Sequence, residues 1–521
     1  MQALSENTGL KAGIQARGKV VVVQLARLGD FLQTTPLLAA VKKAAPHDEL
    51  AVVVTPAGAD LARRCSFVDR VMILDPDSLH DAAGATDESK GLRLARLKGL
   101  LQPLCWGEVS TVYNLNLQSL GAALTRLWGD PELKGWRFNP AGKGLVGEPW
   151  TGFVMSLVRN RRLTRLHLSD ILASYADPAQ PPLSSLDYRV SVADKNDIAG
   201  LIPQKPYVAL QLGANNDLRR WPIKSFAELG QSLAGQGLGL VLVGSGRERV
   251  LARRLLRGLG PAGEKALDLM GRTSLPQLAA VLQSSSLVVS ADTGTLHLAT
   301  AVGARVLALF MGPAQVHETG PYGAGHLVLQ ARDQCGPCQE HNPVCKGKAP
   351  CRELIASRDV FKACMGLLAD ESPQMAAVDL NLPEGVEALA SCLDGFGQRY
   401  QPVTQKNLDW ETGLGLGLRQ AGRVLLRTAY RPLAEDLAKE VVTEYAPPLP
   451  QVARELIFAA GRARALARAA LSHDRAASVR ITAQGAEAAP LAGLIGENSP
   501  PRLSLALEEM AQTLETAARS G

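Results

Sequence analysis

The chain has 521 residues, 46% of them hydrophobic and 20% charged, with a net charge of +6 and a mean hydropathy of +0.02. This excludes a single small module as well as a disordered or fibrous chain, and argues for two or three folded domains. So slight a positive excess over this length excludes the broad basic field of a nucleic-acid binder, so any anionic partner must be met locally.

The opening MQALSENTGLKAGIQARG, residues 1–18, is a polar tail without the apolar core of a signal peptide. No apolar run reaches the roughly 18 residues that cross a bilayer, so the expected location is the cytoplasm. From Lys19 onward, β-branched runs (KVVVVQL, ELAVVVT, RVMIL, STVYNLNL) alternate with amphipathic stretches, the rhythm of β-α-β units around a parallel sheet. Thr35 before Pro36 reads as a cap and first helical position, with the helix kinked or restarted at the proline.

A proline-rich stretch, Ala176 to Leu186, reads as a linker after a first lobe of residues 19–180. A second alternating set follows over residues 187–370, with strands YVALQL, LGLVLVG, SLVVS and RVLALF. Two such Rossmann-like lobes leave a cleft between them where a ligand is expected. Beyond about Asp370 the strand patterns stop, and residues 371–521 read as a mainly helical extension.

Three segments at strand ends carry candidate chemistry. In QLARLGDF, Asp30 should stand at the carboxyl edge of the first sheet, as a base or as a plain helix cap. That turn lacks G-x-G-x-x-G and the later GSGRER has only its first two glycines, which disfavours a dinucleotide-dependent dehydrogenase. In QLGANNDLRRWP, Gly213 permits close backbone approach, while Arg219 and Arg220 either bind a diphosphate or lie on a solvated loop. In VVSADTGTLHLATAVG, Asp292, Thr293, Gly294 and Thr295 open a helix whose amides suit an anion, and His297 follows one turn later, packed or functional.

These segments, with VLVGSGRE and the downstream GPAQVHETGPYG, resemble glycosyltransferase family 9, the lipopolysaccharide heptosyltransferase family, over roughly Lys19 to Asp370. The resemblance implies the two-lobed α/β GT-B fold and an inverting, metal-independent transfer of a sugar from a nucleotide diphosphate, expected to be ADP-heptose. The acceptor it implies is a lipid-linked cell-envelope glycan at the inner membrane face. It implies Asp30 as general base, Glu248 on the ribose, and Asp292, Thr293, Gly294 and His297 at the donor phosphates. Arg219 stands where the family usually carries a lysine, a change that keeps the charge and adds a second donor.

Cys335, Cys338, Cys345 and Cys351 are spaced C-x₂-C-x₆-C-x₅-C, compatible with a tetrahedral zinc or with reduced loop cysteines. Arg159, Arg161, Arg162 and Arg165 form a basic cluster in the first lobe, readable as a contact for an acidic lipid-linked acceptor or as a solvated helix face. A reading of another class is a non-catalytic nucleotide-sugar-binding scaffold that uses the helical extension for protein interaction.

Overall fold

The computed structural model describes residues 18–84, 90–117, 119–138, 144–145, 151, 154, 158, 161–176, 183–204, 206–332, 337–338, 345, 349–395, 397–403 and 419. The polar tail, Arg159, Cys335 and most of the extension lie outside the described residues.

The first lobe is a five-stranded parallel sheet of β1 (Lys19–Gln24), β2 (Glu49–Val54), β3 (Arg70–Ile73), β4 (Thr111–Asn114) and β5 (Glu132–Gly135), in the order β3-β2-β1-β4-β5. A small pair, β6 (Arg137–Phe138) and β7 (Gly144–Leu145), follows it. The central strands are buried on both faces: Val21, Val22, Val23, Val52 and Val53 have no exposed surface. That explains their continuous β-branched runs in place of an alternating pattern. The order reverses between β1 and β4, so a crevice opens at their carboxyl ends.

The helix after β1 begins at Leu28 and runs unbroken to Ala44 with Pro36 inside it, so it neither starts nor restarts at the proline. The amide that Pro36 lacks would have bonded the Leu32 carbonyl, and the Thr35 hydroxyl donates to that oxygen at 2.7 Å instead. Thr35 thus repairs the helix at the point where it was expected to cap it.

The second sheet has eight strands: β8 (Tyr207–Gln211), β9 (Gly239–Val243), β10 (Leu267–Asp268), β11 (Leu287–Ser290), β12 (Val306–Phe310), β13 (Leu327–Ala331), β14 (Val386–Asp394) and β15 (Gly397–Pro402). Their order is β10-β9-β8-β11-β12-β13-β14-β15, parallel up to β13 and antiparallel thereafter. This corrects the expectation that strands stop at Asp370, because β14 and β15 form a hairpin that extends the sheet. EGVEALASCLD is rich in helix-favouring Ala, Leu and Glu, but pairing with the open edge of β13 overrides that preference.

The lobes are packed together, not merely tethered. One apolar cluster runs from Leu32 and Leu37 on the Leu28–Ala44 helix to Leu296 and Leu298 in the second lobe. The Leu168–Ala173 helix reaches both lobes. His167 Nε2 lies 3.1 Å from the Gly320 carbonyl, and Asp170 accepts from Tyr322 Oη at 2.7 Å and from the Gln398 amide at 2.8 Å. Burial raises Asp170 to about 7, opposed by the hydrogen bonds from Tyr322 and Gln398 and by the Arg419 charge, so the hairpin closes over a buried carboxyl.

Candidate active site in the interlobe cleft

The second sheet has its own order reversal between β8 and β11, and the segments leaving those strands carry Gly213 and Asp292. Both crevices open into one cleft of about 430 Å³ between the lobes. Asp30 and Arg27 line its first-lobe wall; Glu248, Asp292, Thr293, Gly294, Thr295 and His297 line the opposite one. The sequence-predicted residues from three separate segments therefore share a single gap.

Asp30 occupies the first turn of its helix, and its Oδ2 accepts the Arg27 amide at 3.0 Å. It is both cap and cleft residue, so the two readings of its sequence position are compatible. Burial raises its pKa above the ordinary carboxylate range; the Arg27 amide and the charges of Arg27 and Arg219 act in the opposite direction. Asp292 is more deeply buried and is also shifted upward by burial, with the Arg219 guanidinium opposing and the Asp30 charge adding to the rise. The two carboxylates thus feel each other across the cleft.

Arg219 Nη1 meets Asp292 Oδ2 at 2.9 Å, and the Thr319 hydroxyl also bonds Asp292. His297 is buried, its Nδ1 has no hydrogen-bond partner among the described residues, and burial holds it neutral by lowering its pKa to about 3. The ring packs where the lobes meet: a Cβ on Gly29 would come within 2.9 Å of His297 Cδ2. The Gly294–Ala301 helix points its N-terminal turn, Thr293 to Thr295, at the same gap, supplying the amide-rich, partly positive end that anions favour.

Glu248 is held by Ser245, whose amide and hydroxyl donate to Oε2 at 2.7 and 2.8 Å. Its Oε1 lies against Gly213, in the space that a side chain at 213 would fill. Glycine there serves the close approach of a carboxylate within the protein.

Other expectations need correction. Neither Gly213, Arg219 nor Arg220 is itself among the residues lining the cleft: Gly213 and Arg219 sit directly behind the lining residues Glu248 and Asp292, whereas Arg220 donates to the Ala214 carbonyl at 3.0 Å and pairs with Asp217. The arginine cluster is not one presented face, because Arg161 and Arg165 are used internally. Arg161 Nε meets both Glu318 carboxylate oxygens at 2.9 and 3.1 Å, and its Nη2 donates to the Pro313 carbonyl, fastening one lobe to the other. Arg165 is buried against the carbonyls of Arg162 and Thr164, while Arg162 is exposed.

Among the described residues no group of three His, Cys, Asp or Glu side chains is placed to hold a metal ion. Cys338 packs with Leu218 and Ala349, whereas Cys351 joins the core that contains Trp221 and Val360. Cys345 packs against the same small cluster as Cys338, so two of the three described cysteines share their surroundings and Cys351 lies apart, while Cys335, the fourth member of the expected set, falls outside the described residues.

Arg27, Thr273, Ser274 and Thr319 also line the cleft, and sequence reasoning did not single them out. Arg27 lies in the same turn as Asp30 and could have been found there. Thr319 ends a four-residue helix, Val316–Thr319, too short to leave a periodic signal.

The sequence model of glycosyltransferase family 9 (heptosyltransferase) matches residues 112–348. Lipopolysaccharide heptosyltransferase 1 of Pseudomonas aeruginosa is 28% identical over 369 residues, 70% of this chain and 97% of that one. The solved structure of Escherichia coli ADP-heptose lipopolysaccharide heptosyltransferase II aligns with a TM-score of 0.51 at 19% identity, over 68% of this chain and 99% of its own. A glycosyl transferase family 9 structure from Veillonella parvula aligns at 0.52, also 19% identical, over 68% of this chain and 98% of its own. At that identity the structures speak for a shared fold alone, the α/β arrangement of parallel sheets described above. Residues 112–348, rather less than half of the chain, thus carry the sequence pattern of glycosyltransferase family 9, and the protein is a glycosyltransferase.

Proposed function

We propose that this chain is an inverting, metal-independent heptosyltransferase that moves heptose from ADP-heptose to a lipopolysaccharide or related lipid-linked glycan acceptor at the cytoplasmic membrane face. The observation that carries the reading is the opposition of Asp30, on one wall of the cleft, to Asp292 and the Thr293–Thr295 helix end on the other. The names of the Pseudomonas aeruginosa and Escherichia coli relatives support the heptose and lipopolysaccharide parts. Among the described residues no helix is long and apolar enough to cross a membrane, so membrane contact would be peripheral in this region.

In this reading Asp30 Oδ1 takes the proton of an acceptor hydroxyl as that oxygen attacks the anomeric carbon. The bond from the anomeric carbon to the diphosphate oxygen breaks, ADP leaves with the electron pair, and the configuration inverts. Arg219 and the amides of Gly294 and Thr295 offset the charge gathering on the diphosphate, so no metal is assigned that task. The free oxygen of Glu248 receives a ribose hydroxyl. Neutral His297, whose Nδ1 has no partner among the described residues, offers a donor or acceptor to the sugar diphosphate without adding charge. Residues 19–180 form the acceptor lobe and residues 187–370, with the β14–β15 hairpin, the donor lobe.

The direct assay offers the purified protein ADP-heptose, ADP-glucose and UDP-glucose, with a lipid-linked core acceptor lacking heptose. ADP release and a heptose-sized mass gain on the glycolipid are expected with ADP-heptose alone. Equal or better transfer from a UDP-sugar would overturn the donor assignment. Donor binding with no transfer to any envelope glycolipid would favour a scaffold.

Gly213→Ala tests the ribose contact. A methyl at 213 would displace Glu248 from its seat, so the donor KM should rise roughly tenfold, about 1.4 kcal/mol, with little change in kcat. Titration with ADP is the check, and wild-type affinity would release Glu248 from the role.

A further inference from the structure

We propose that Asn116 and Gln24 are positioning residues that lock the turn between β1 and its helix and thereby aim Asp30 into the cleft. The inference rests on the reading of Asp30 as the base. Three successive amides of this turn are each taken by a side-chain oxygen. Leu25 donates to Asn116 Oδ1 at 2.8 Å, Ala26 to Gln24 Oε1 at 3.3 Å, and Arg27 to Asp30 Oδ2 at 3.0 Å.

Asn116 also donates from Nδ2 to the Val23 carbonyl at 2.8 Å. Its carboxamide therefore behaves as an extra peptide group, adding one rung to the β1–β4 ladder beyond the last paired residues, Val23 and Asn114. Gln24 reaches forward instead: Nε2 donates to Thr34 Oγ1 at 3.0 Å, and that hydroxyl donates to the Asp30 carbonyl at 2.8 Å. The turn is thus tied to the sheet behind it and to the helix ahead of it.

Ala26 and Arg27 are exposed, so apolar packing does little to hold this turn, whereas Gln24, Thr34 and Asn116 are buried. Buried amides cost stability unless they are satisfied, and most of their hydrogen-bonding capacity is directed at the backbone leading to Asp30. The arrangement also specialises the carboxylate. Oδ2 is occupied by the Arg27 amide, while Oδ1 makes no hydrogen bond or ion pair among the described residues and remains available for the proton. A displacement of about 1 Å at a reacting group can cost 10²-fold in rate, so a loosened turn should register in kcat before it registers in binding.

The test compares Asn116→Ala, Asn116→Asp and Thr34→Val with Trp128→Phe. The last removes the buried hydrogen bond from Trp128 Nε1 to the Leu104 carbonyl without touching the turn. Asn116→Ala should lower kcat about 10- to 100-fold, with donor KM and ADP affinity within about twofold. Asn116→Asp keeps the acceptor for Leu25 but loses the donor to Val23, and should recover part of the rate. Thr34→Val cuts the link from Gln24 with little change of volume, should lower kcat several-fold, and carries the test if Asn116→Ala fails to fold. Trp128→Phe should lower Tm while keeping kcat.

Unchanged kcat in Asn116→Ala or, should that variant not fold, in Thr34→Val would overturn the proposal. So would a joint fall of kcat and ADP affinity that merely follows Tm. Failure of Asp30 as the base is distinguishable, because it would appear as an active Asp30→Asn enzyme.

Discussion

Asp30→Asn is expected to lower sugar transfer by about 10²–10⁴-fold, the usual contribution of a positioned base, while ADP affinity stays within about twofold of wild type. Asparagine keeps an oxygen for the Arg27 amide, so the turn should survive and only the proton acceptor is lost. The pH dependence gives an independent check. Burial raises the Asp30 pKa, and the base must be ionised to act, so activity should be lost as pH falls through a value above the ordinary carboxylate range.

Stability should change in the other direction. A carboxyl with a raised folded pKa contributes stability that is complete below its unfolded pKa and is lost as pH rises through the folded one. At neutral pH ionised Asp30 is therefore a strain on the fold, and Asp30→Asn should have a Tm equal to or above wild type near pH 8. The difference should close as pH falls below the ordinary aspartate pKa, where Asp30 is protonated in both the folded and the unfolded chain. Melting curves near pH 8 and below that pKa, alongside turnover, decide the matter. Transfer within tenfold of wild type would remove Asp30 from the role of base.

The second large effect concerns Arg219. Arg219→Met leaves Asp292 buried without its main counter-charge, and breaking such a pair typically costs about 3 kcal/mol or more. The loss should be greatest at neutral and alkaline pH and should shrink as pH falls, because Asp292, already shifted upward by burial, then takes up a proton and needs no partner. Nucleotide affinity should fall by roughly 10- to 100-fold, the scale of a hydrogen bond to a charged group. Arg219→Lys restores the charge without the forked geometry and should recover most of the stability, with part of the affinity. Denaturant titration and ADP binding separate the two effects. Undiminished ADP affinity in Arg219→Met would assign the arginine solely to holding Asp292.

Much of this site was legible because its residues follow strand ends, where a local pattern reports both the element and the side chain's place. The sequence LGD after KVVVVQL put Asp30 at the right sheet edge, and ADTG after LVVS did the same for Asp292. Long-range pairing left no such mark. Arg161 finds Glu318 across 157 residues, and nothing in either neighbourhood distinguishes that arginine from a solvated one. Pro36 misled because the compensating hydroxyl of Thr35 looked like a cap. The β14–β15 hairpin was hidden by composition, since its alanines and leucines favour helix until an open sheet edge is there to receive them.

That hairpin sets the shortest chain that keeps the second sheet whole. Ending the protein at Asp370 would strip β13 of its outer neighbour, leave Tyr322 and Asp170 without the Gln398 amide that completes their seam, and bare a row of backbone groups able to recruit a strand from another molecule. Any trimmed version meant to keep that edge covered therefore has to extend at least through Pro402.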